Sequence, residues 1–189
     1  MKFYLMSFIT SMVLLAGTAN AQHINIGVKG GINSYDIHTD NSSSFDSRTG
    51  LHIGLIGHIH INDQFGFQPE LVYSMQGAKT NNSDINLDYI NVPLIVQYMF
   101  DNGFRIQAGP QLGLLLNANT GNNSSDISDD FKAFDVGLSF GAGYIHPPSG
   151  FGIDLRYNLG LSDITENSSV KATNGGLQFG VFYLFGHRN

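Results

Sequence analysis

Three histidines have a spacing that could bind a metal ion. His52, His58 and His60 have the same parity, so on a β-strand their side chains would share one face. Two imidazoles two residues apart can hold one transition-metal ion, but the sequence indicates no third ligand for them. Polar histidines also serve simply to fill the enclosed face of a strand. We therefore predict that the chain has no metal site and no cofactor.

Serine, histidine and aspartate, the residues of hydrolytic triads, are abundant in the chain. The sequence has no H-E-x-x-H metal motif and no glycine-rich phosphate loop. We predict that the chain is not an enzyme and has no catalytic residue. A triad dispersed along the sequence is recognised only by its geometry, so an enzyme acting on lipid or peptide stays an alternative. Asp126, Asp129 and Asp130 fit no calcium-loop pattern and are interpreted as a solvated acidic surface.

The composition excludes several other kinds of protein. The 189 residues carry a formal net charge of −6, no cysteine and 23 glycines. A chain without cysteine has neither disulfides nor thiolate metal sites. The acidic balance argues against nucleic acid as a partner, because binding to phosphates needs a basic surface.

The N-terminus has the features of a cleaved export signal. Lys2 supplies a positive charge, an apolar stretch follows it, and Ala19-Asn20-Ala21 has the form of a signal-peptidase site. We predict a signal peptide over residues 1–21 and one domain over residues 22–189. After the signal, no window approaches the 18 apolar residues of a membrane helix.

From Ile24 onward, apolar residues alternate with small or polar ones, as in strands whose two faces differ. In the clearest example, residues 151–160, odd positions are large and apolar, and even positions are small, polar or charged. No helical period follows the export signal. The pattern predicts an all-β chain of eight strands, at residues 24–35, 50–61, 65–75, 86–100, 104–116, 134–146, 151–160 and 174–185.

The connectors between these strands alternate in length. The short ones, rich in turn-forming residues, lie at 61–64, 101–103 and 147–150. The long ones, rich in Asn, Ser, Asp and Thr, lie at about 36–48, 77–85, 118–133 and 162–173. In an up-and-down sheet, short and long connectors fall at opposite ends. This layout is typical of bacterial outer-membrane barrels.

The two predicted strand faces differ in the sense expected of a membrane barrel. Outward positions at the strand centres are apolar and uncharged, for example Ile26, Ile53, Val92, Leu138 and Val181. The opposite face carries more than half of the 23 glycines, which suit a lumen only wide enough for side chains. A soluble barrel would place its apolar face inside instead.

Six charged residues have the inward parity. They are Lys29, Arg105 and Arg156 with Glu70, Asp135 and Asp154. Three cations and three anions are expected to pair, because an unpaired charge is costly inside a low-dielectric lumen. A paired plug is favoured over a proton or ion path, since eight strands leave little or no aqueous channel.

Five stretches spread over the chain carry a family resemblance. They are Ile26–Asn33, Phe67–Ser74, Asp88–Leu94, Gln107–Gly113 and Asp154–Tyr157. In these stretches the sequence resembles the small outer-membrane β-barrel proteins grouped with PorT, which are widespread in Gram-negative bacteria. The resemblance implies an eight-stranded barrel like those of OmpA and OmpX. It implies no activity, because most of the family is defined by fold and location; the PorT namesake is linked to protein secretion.

We therefore predict an all-β, eight-stranded antiparallel up-and-down transmembrane β-barrel in the outer membrane, with periplasmic termini and four surface loops. Its predicted role is non-enzymatic: membrane integrity, or surface interaction through the loops. The expected partners are outer-membrane lipid and lipopolysaccharide, the barrel-assembly machinery and an unidentified surface ligand. A narrow small-solute channel is a further alternative.

Overall fold

The computed structural model describes residues 24–39, 46–79, 84–121, 125–166 and 171–186, and most of them are in strands. The strands are β1 (Ile24–Thr39), β2 (Asp46–His60), β3 (Phe65–Lys79), β4 (Asp84–Met99), β5 (Phe104–Thr120), β6 (Ser125–Asp126), β7 (Phe134–Ile145), β8 (Phe151–Gly160) and β9 (Ala172–Leu184). Helical structure in these ranges is a 3-10 turn at Ser128–Asp130. None of it is long and apolar enough to cross a membrane. The predicted signal peptide lies outside the described residues.

The strands form one closed antiparallel barrel. Neighbours in sequence pair along the order β1, β2, β3, β4, β5, β7, β8, β9, and β1 pairs with β9 to close the sheet. The two residues of β6 pair only with the end of β5. Closure leaves no free edge, which is the condition for placing a sheet in lipid. The predicted eight-stranded up-and-down barrel is confirmed.

The strand boundaries agree with the prediction at one end of the barrel and differ at the other. At the short turns, every observed boundary lies within one residue of the predicted one. At the loop end, β1 to β5 and β9 each extend two to four residues further than predicted, so the four predicted loops, 36–48, 77–85, 118–133 and 162–173, are partly strand. β7 and β8 end where predicted on that side. The wall is therefore tall over β1 to β5 and low over β7 and β8.

The extensions form because apolar residues at their inward positions pack together inside the barrel. Ile37, Ala78 and Ala118 are all buried there. The alternation of apolar and polar residues does not reveal these extensions, because the strands contain irregularities. Register shifts occur between β4 and β5 and between β2 and β3, and Gly77 on β3 has a φ of +128°. A shift of one residue reverses which side chains point inward.

The inward and outward faces follow the predicted parity. Ile26 is 61% exposed on the outside, whereas Lys29, three positions along, is 3% exposed inside. Inward glycines let the strands approach closely. At Gly141, an added Cβ would collide with the carbonyl oxygen of Leu155 on the neighbouring strand.

The lumen has three layers, of which only the middle one was predicted. A loop-end apolar layer is made of Ile37, Ala78, Leu87, Tyr89, Ala118, Ile164 and Ala172. A turn-end apolar layer is made of Ile56, Ile145, Phe182 and Leu184. Buried polar and charged side chains fill the barrel between them. The expectation of a lumen lined by polar residues and glycine is therefore corrected: the lumen also holds an apolar cluster toward each end.

Candidate functional site

An ionic layer of four side chains lies in the middle of the lumen. Glu70 on β3 accepts two hydrogen bonds from Arg156 on β8, at 2.7 and 2.9 Å. The Lys29 ammonium on β1 bridges the two carboxylates, at 3.3 Å from Glu70 and 3.1 Å from Asp154. Arg156 also lies 3.5 Å from Asp154. Strands from opposite sides of the barrel are thus joined through two cations and two anions.

Glutamine side chains extend this layer toward β4 and β5. Gln68 donates to Glu70 at 2.6 Å, and Gln97 donates to Gln68 and Gln107 at 3.1 and 2.9 Å. Arg105 donates to Gln97 at 3.0 Å. The amides carry the network from the carboxylates to a third cation.

The predicted pairing of three cations with three anions is only partly correct. Asp135 lies nearer the loop end, where it accepts a 2.6 Å hydrogen bond from the Ser162 hydroxyl. Among the described residues, Arg105 has no carboxylate within 4 Å; its guanidinium lies 5.8 Å from the centre of the Phe182 ring. Asp135 and Arg105 do not pair because they lie at different heights on their strands.

On the loop-end side of the ionic layer, the side chains of Asn33, Gln76 and Asn158 form a second set of hydrogen bonds, here called the amide layer. Asn158 donates to the Tyr35 hydroxyl and to Gln178, at 2.6 and 3.1 Å. Asn33 donates to Ser74 at 2.9 Å, and Gln76 donates to the same hydroxyl at 3.1 Å. Two of these hydrogen bonds, Asn33 to Ser74 and Asn158 to Tyr35, each join strands that are separated by one other strand.

A serine that was not predicted as a site residue stands in a G-x-S-x-G pattern, at Gly137–Gly141. Ser139 lies in the middle of β7 and is fully buried, with its hydroxyl bonded to Asn158 and Gln111. The nucleophile of that motif stands instead on an exposed strand-to-helix turn. Ser139 therefore belongs to the amide layer, and the pattern does not indicate a hydrolase.

The three histidines face the lumen as predicted. His52 and His58 are buried, and the rings of His58 and His60 meet edge to face, with centroids 4.5 Å apart. No group of three or more His, Asp or Glu side chains able to hold a metal ion occurs in the described ranges. His52 lies apart from the other two, beside Gly31 and Gly180.

Residues 130–132 and 163–166 pair with each other at the loop end. These two segments form a lid over the low side of the wall. The Lys132 amide donates to the carbonyl of Ile164, and the Glu166 amide donates to that of Asp130. Ile164 is fully buried in the loop-end apolar layer. Asp163 holds the lid in place, because its carboxylate accepts hydrogen bonds from the Ala172 amide and the Lys132 ammonium, at 3.0 and 2.9 Å. These donors lower the pKa of Asp163 to about 2.

Asp126 holds the turn of the 125–130 segment. The amide of Ser128 donates to Asp126 at 2.9 Å, and hydrogen bonds from Ser128 lower the pKa of Asp126. Asp129 and Asp130 are exposed. This arrangement agrees with a solvated acidic surface.

The barrel is similar to known outer-membrane proteins. The family model described as outer membrane protein beta-barrel domain matches residues 20–166. Neisserial surface protein A is 20% identical with a TM-score of 0.57, the match covering 84% of this chain and 96% of that one. Ail of Yersinia pestis is 16% identical with a TM-score of 0.48, covering 84% and 98%. OprG of Pseudomonas aeruginosa is 14% identical with a TM-score of 0.48, covering 88% and 98%.

These structural likenesses concern the fold. No curated protein matches the sequence. The resemblance to PorT in particular, and to the OmpA and OmpX barrels, stays a prediction.

Proposed function

Since the chain belongs to the family of outer membrane protein β-barrel domains, we propose that it is a non-enzymatic, non-conducting barrel of the outer membrane. In this proposal the closed barrel is a rigid support, and the lid with the tall half of the wall is the surface that meets lipopolysaccharide or another surface ligand. Secretion of the PorT kind is not part of the proposal, because no described feature favours it.

The closed lumen is the observation that carries this proposal. The side chains of Lys29 and Glu70, at the centre of the barrel, have no solvent-accessible surface. An apolar layer lies on each side of them. An ion that entered would have to leave its hydration shell, cross apolar side chains and break ion pairs. This arrangement favours a structural plug over a small-solute channel.

Rings near the short turns support the position in the membrane. Two groups of aromatic side chains contact one another there: Phe65, Tyr98, Phe100 and Phe104 in one, and Phe151, Tyr183 and Phe185 in the other. Aromatic belts of this kind lie at the interface between lipid and water in outer-membrane barrels. The apolar band of the outer wall extends from these rings toward the loop end.

Conductance in planar bilayers tests the proposal. We expect no stepwise conductance from the refolded protein under conditions in which a 16-stranded porin, as a positive control, conducts. Discrete steps from the native chain would contradict the proposal and favour the channel.

Labelling of single introduced cysteines tests which end of the barrel faces the cell exterior. The chain has no cysteine of its own that could react with the label. Asp129→Cys lies at the loop end and Asp101→Cys at a short turn, and both positions are exposed. On intact cells, a membrane-impermeant maleimide should label the variant at 129 and should label the variant at 101 only after the outer membrane is permeabilised. The reverse pattern would place the loops in the periplasm and refute surface interaction through them.

A further inference from the structure

Half of the residues along one row of the lumen wall are glycines. A row of paired residues crosses six adjacent strands, and glycines separate its three polar members. In order around the barrel, the row is Arg105, Gly143, Asp154, Gly180, Gly31 and His52.

The three polar residues of this row carry atoms without a hydrogen-bond partner among the described residues. These atoms are both ring nitrogens of His52, Oδ1 of Asp154 and Nε of Arg105. Each residue is 3% exposed. A buried polar atom left without a partner destabilises the fold, and nearly all such atoms in native proteins bind another protein group or an ordered water.

Gly180 differs from the neighbouring glycines of the row in what surrounds it. An added Cβ at Gly31 would collide with the carbonyl oxygen of Phe179, so that glycine is required by the close approach of two strands. A Cβ at Gly180 would first meet side-chain atoms, Asp154 Oδ1 at 3.0 Å and His52 Nε2 at 3.3 Å. The space over Gly180 is therefore bounded by the same two atoms that lack partners.

We propose that the space over Gly180 is a binding site for one buried water molecule, which joins His52 Nε2 to Asp154 Oδ1. A water suits these partners because it can donate to the carboxylate oxygen and form a second hydrogen bond with the ring nitrogen in either tautomer. Buried waters of this kind make two to four hydrogen bonds to groups that otherwise lack partners. The site couples β2 to β8 across β9 and β1.

Two substitutions at the same glycine test the proposal by equilibrium unfolding in urea, with the barrel refolded in detergent. Gly180→Ser places a hydroxyl where the water binds, whereas Gly180→Ala displaces the water and supplies no polar group. Both variants add the same Cβ, so the steric cost of the Cβ itself cancels when they are compared. We expect the unfolding equilibrium constant of Gly180→Ala to be about tenfold or more larger than that of Gly180→Ser, the effect of leaving two buried polar atoms unpartnered.

Gly30 provides the matched control. It has the outward parity on β1, and an added Cβ there would meet only the carbonyl oxygen of His52, at 3.5 Å. At this lipid-facing position the order should reverse, with Gly30→Ala at least as stable as Gly30→Ser. Equal stability of the two Gly180 variants, or a more stable alanine variant, would overturn the water site.

A measurement on the unaltered barrel keeps the test valid even if the variants fail to fold. In lipid bilayers, solid-state NMR can follow magnetisation from water to the imidazole nitrogens, with the His52 signal assigned from its loss in His52→Gln. Transfer to His52 would support the site. Transfer to the exposed His38 but not to His52, or a direct hydrogen bond between His52 and Asp154, would overturn it.

Discussion

Removing the charge of Glu70 should destabilise the barrel more than any other conservative change in the lumen. Glu70 accepts hydrogen bonds from Arg156, Lys29 and Gln68, and none of these side chains is appreciably exposed. In Glu70→Gln, the cations of the layer would face Asp154 as their only carboxylate. Removing one partner of a buried ion pair costs about 3–5 kcal/mol, because the charge that remains is buried without compensation.

The assay is equilibrium unfolding in urea of the barrel in detergent micelles or lipid vesicles, followed by the shift in gel mobility between folded and boiled protein. Glu70→Gln should lower the free energy of unfolding by about 3–5 kcal/mol. Adding Lys29→Met should recover part of this loss, because it removes one of the uncompensated cations. The coupling between the two substitutions measures the pair directly.

Asp135→Asn is the matched control, since Asp135 also faces the lumen but accepts a hydrogen bond from Ser162. An amide keeps an acceptor for that hydroxyl, so the change should be about 1 kcal/mol or less. If Glu70→Gln cost no more than this control, or less than the ~1 kcal/mol typical of exposed ion pairs, the ionic layer would not be the buried, paired cluster described above.

Further predictions concern the outer wall and the lid. Leu138→Arg, at an apolar position facing lipid, should cost about 2–4 kcal/mol near mid-bilayer, whereas Leu161→Arg at the rim should cost about 0–1 kcal/mol, as measured by urea unfolding in vesicles. Equal costs would mean that the assigned depth is wrong. Ile164→Ala removes a buried side chain from the lid and should weaken its closure by about 2–5 kcal/mol; faster hydrogen exchange at the Lys132 amide would report it, and unchanged exchange would contradict the buried position of Ile164. The stabilisation by Asp163 should be fully present above the unfolded pKa of about 4 and should be lost as the pH falls through its folded value of about 2. NMR chemical shifts of the lid should follow this titration, and Asp163→Asn should abolish it.

The number of strands, their faces and the short-turn end could be predicted from the sequence because these features are local. Alternation has a period of two residues, and turn residues restrict only their own backbone dihedrals. The inward parity of His52 and Lys29 and the outward parity of Ile26 follow from this pattern alone. A one-residue irregularity hides the pattern, which explains why the loop-end extensions around Gly77 were not predicted.

The partners of the inward residues were decided only by the tertiary structure. Which side chains meet across a barrel depends on the stagger of all eight strands, and no local pattern encodes it. The sequence indicated that Asp135 and Arg105 are both inward, but their heights on the closed sheet separate them. The sealing of the lumen by Ile164 likewise depends on a segment folding back against strands distant in sequence. The sequence by itself determined a barrel with a charged interior; closure of the sheet decided which charges pair, and the packing of the two apolar layers and the lid decided that its centre is shut off from bulk solvent.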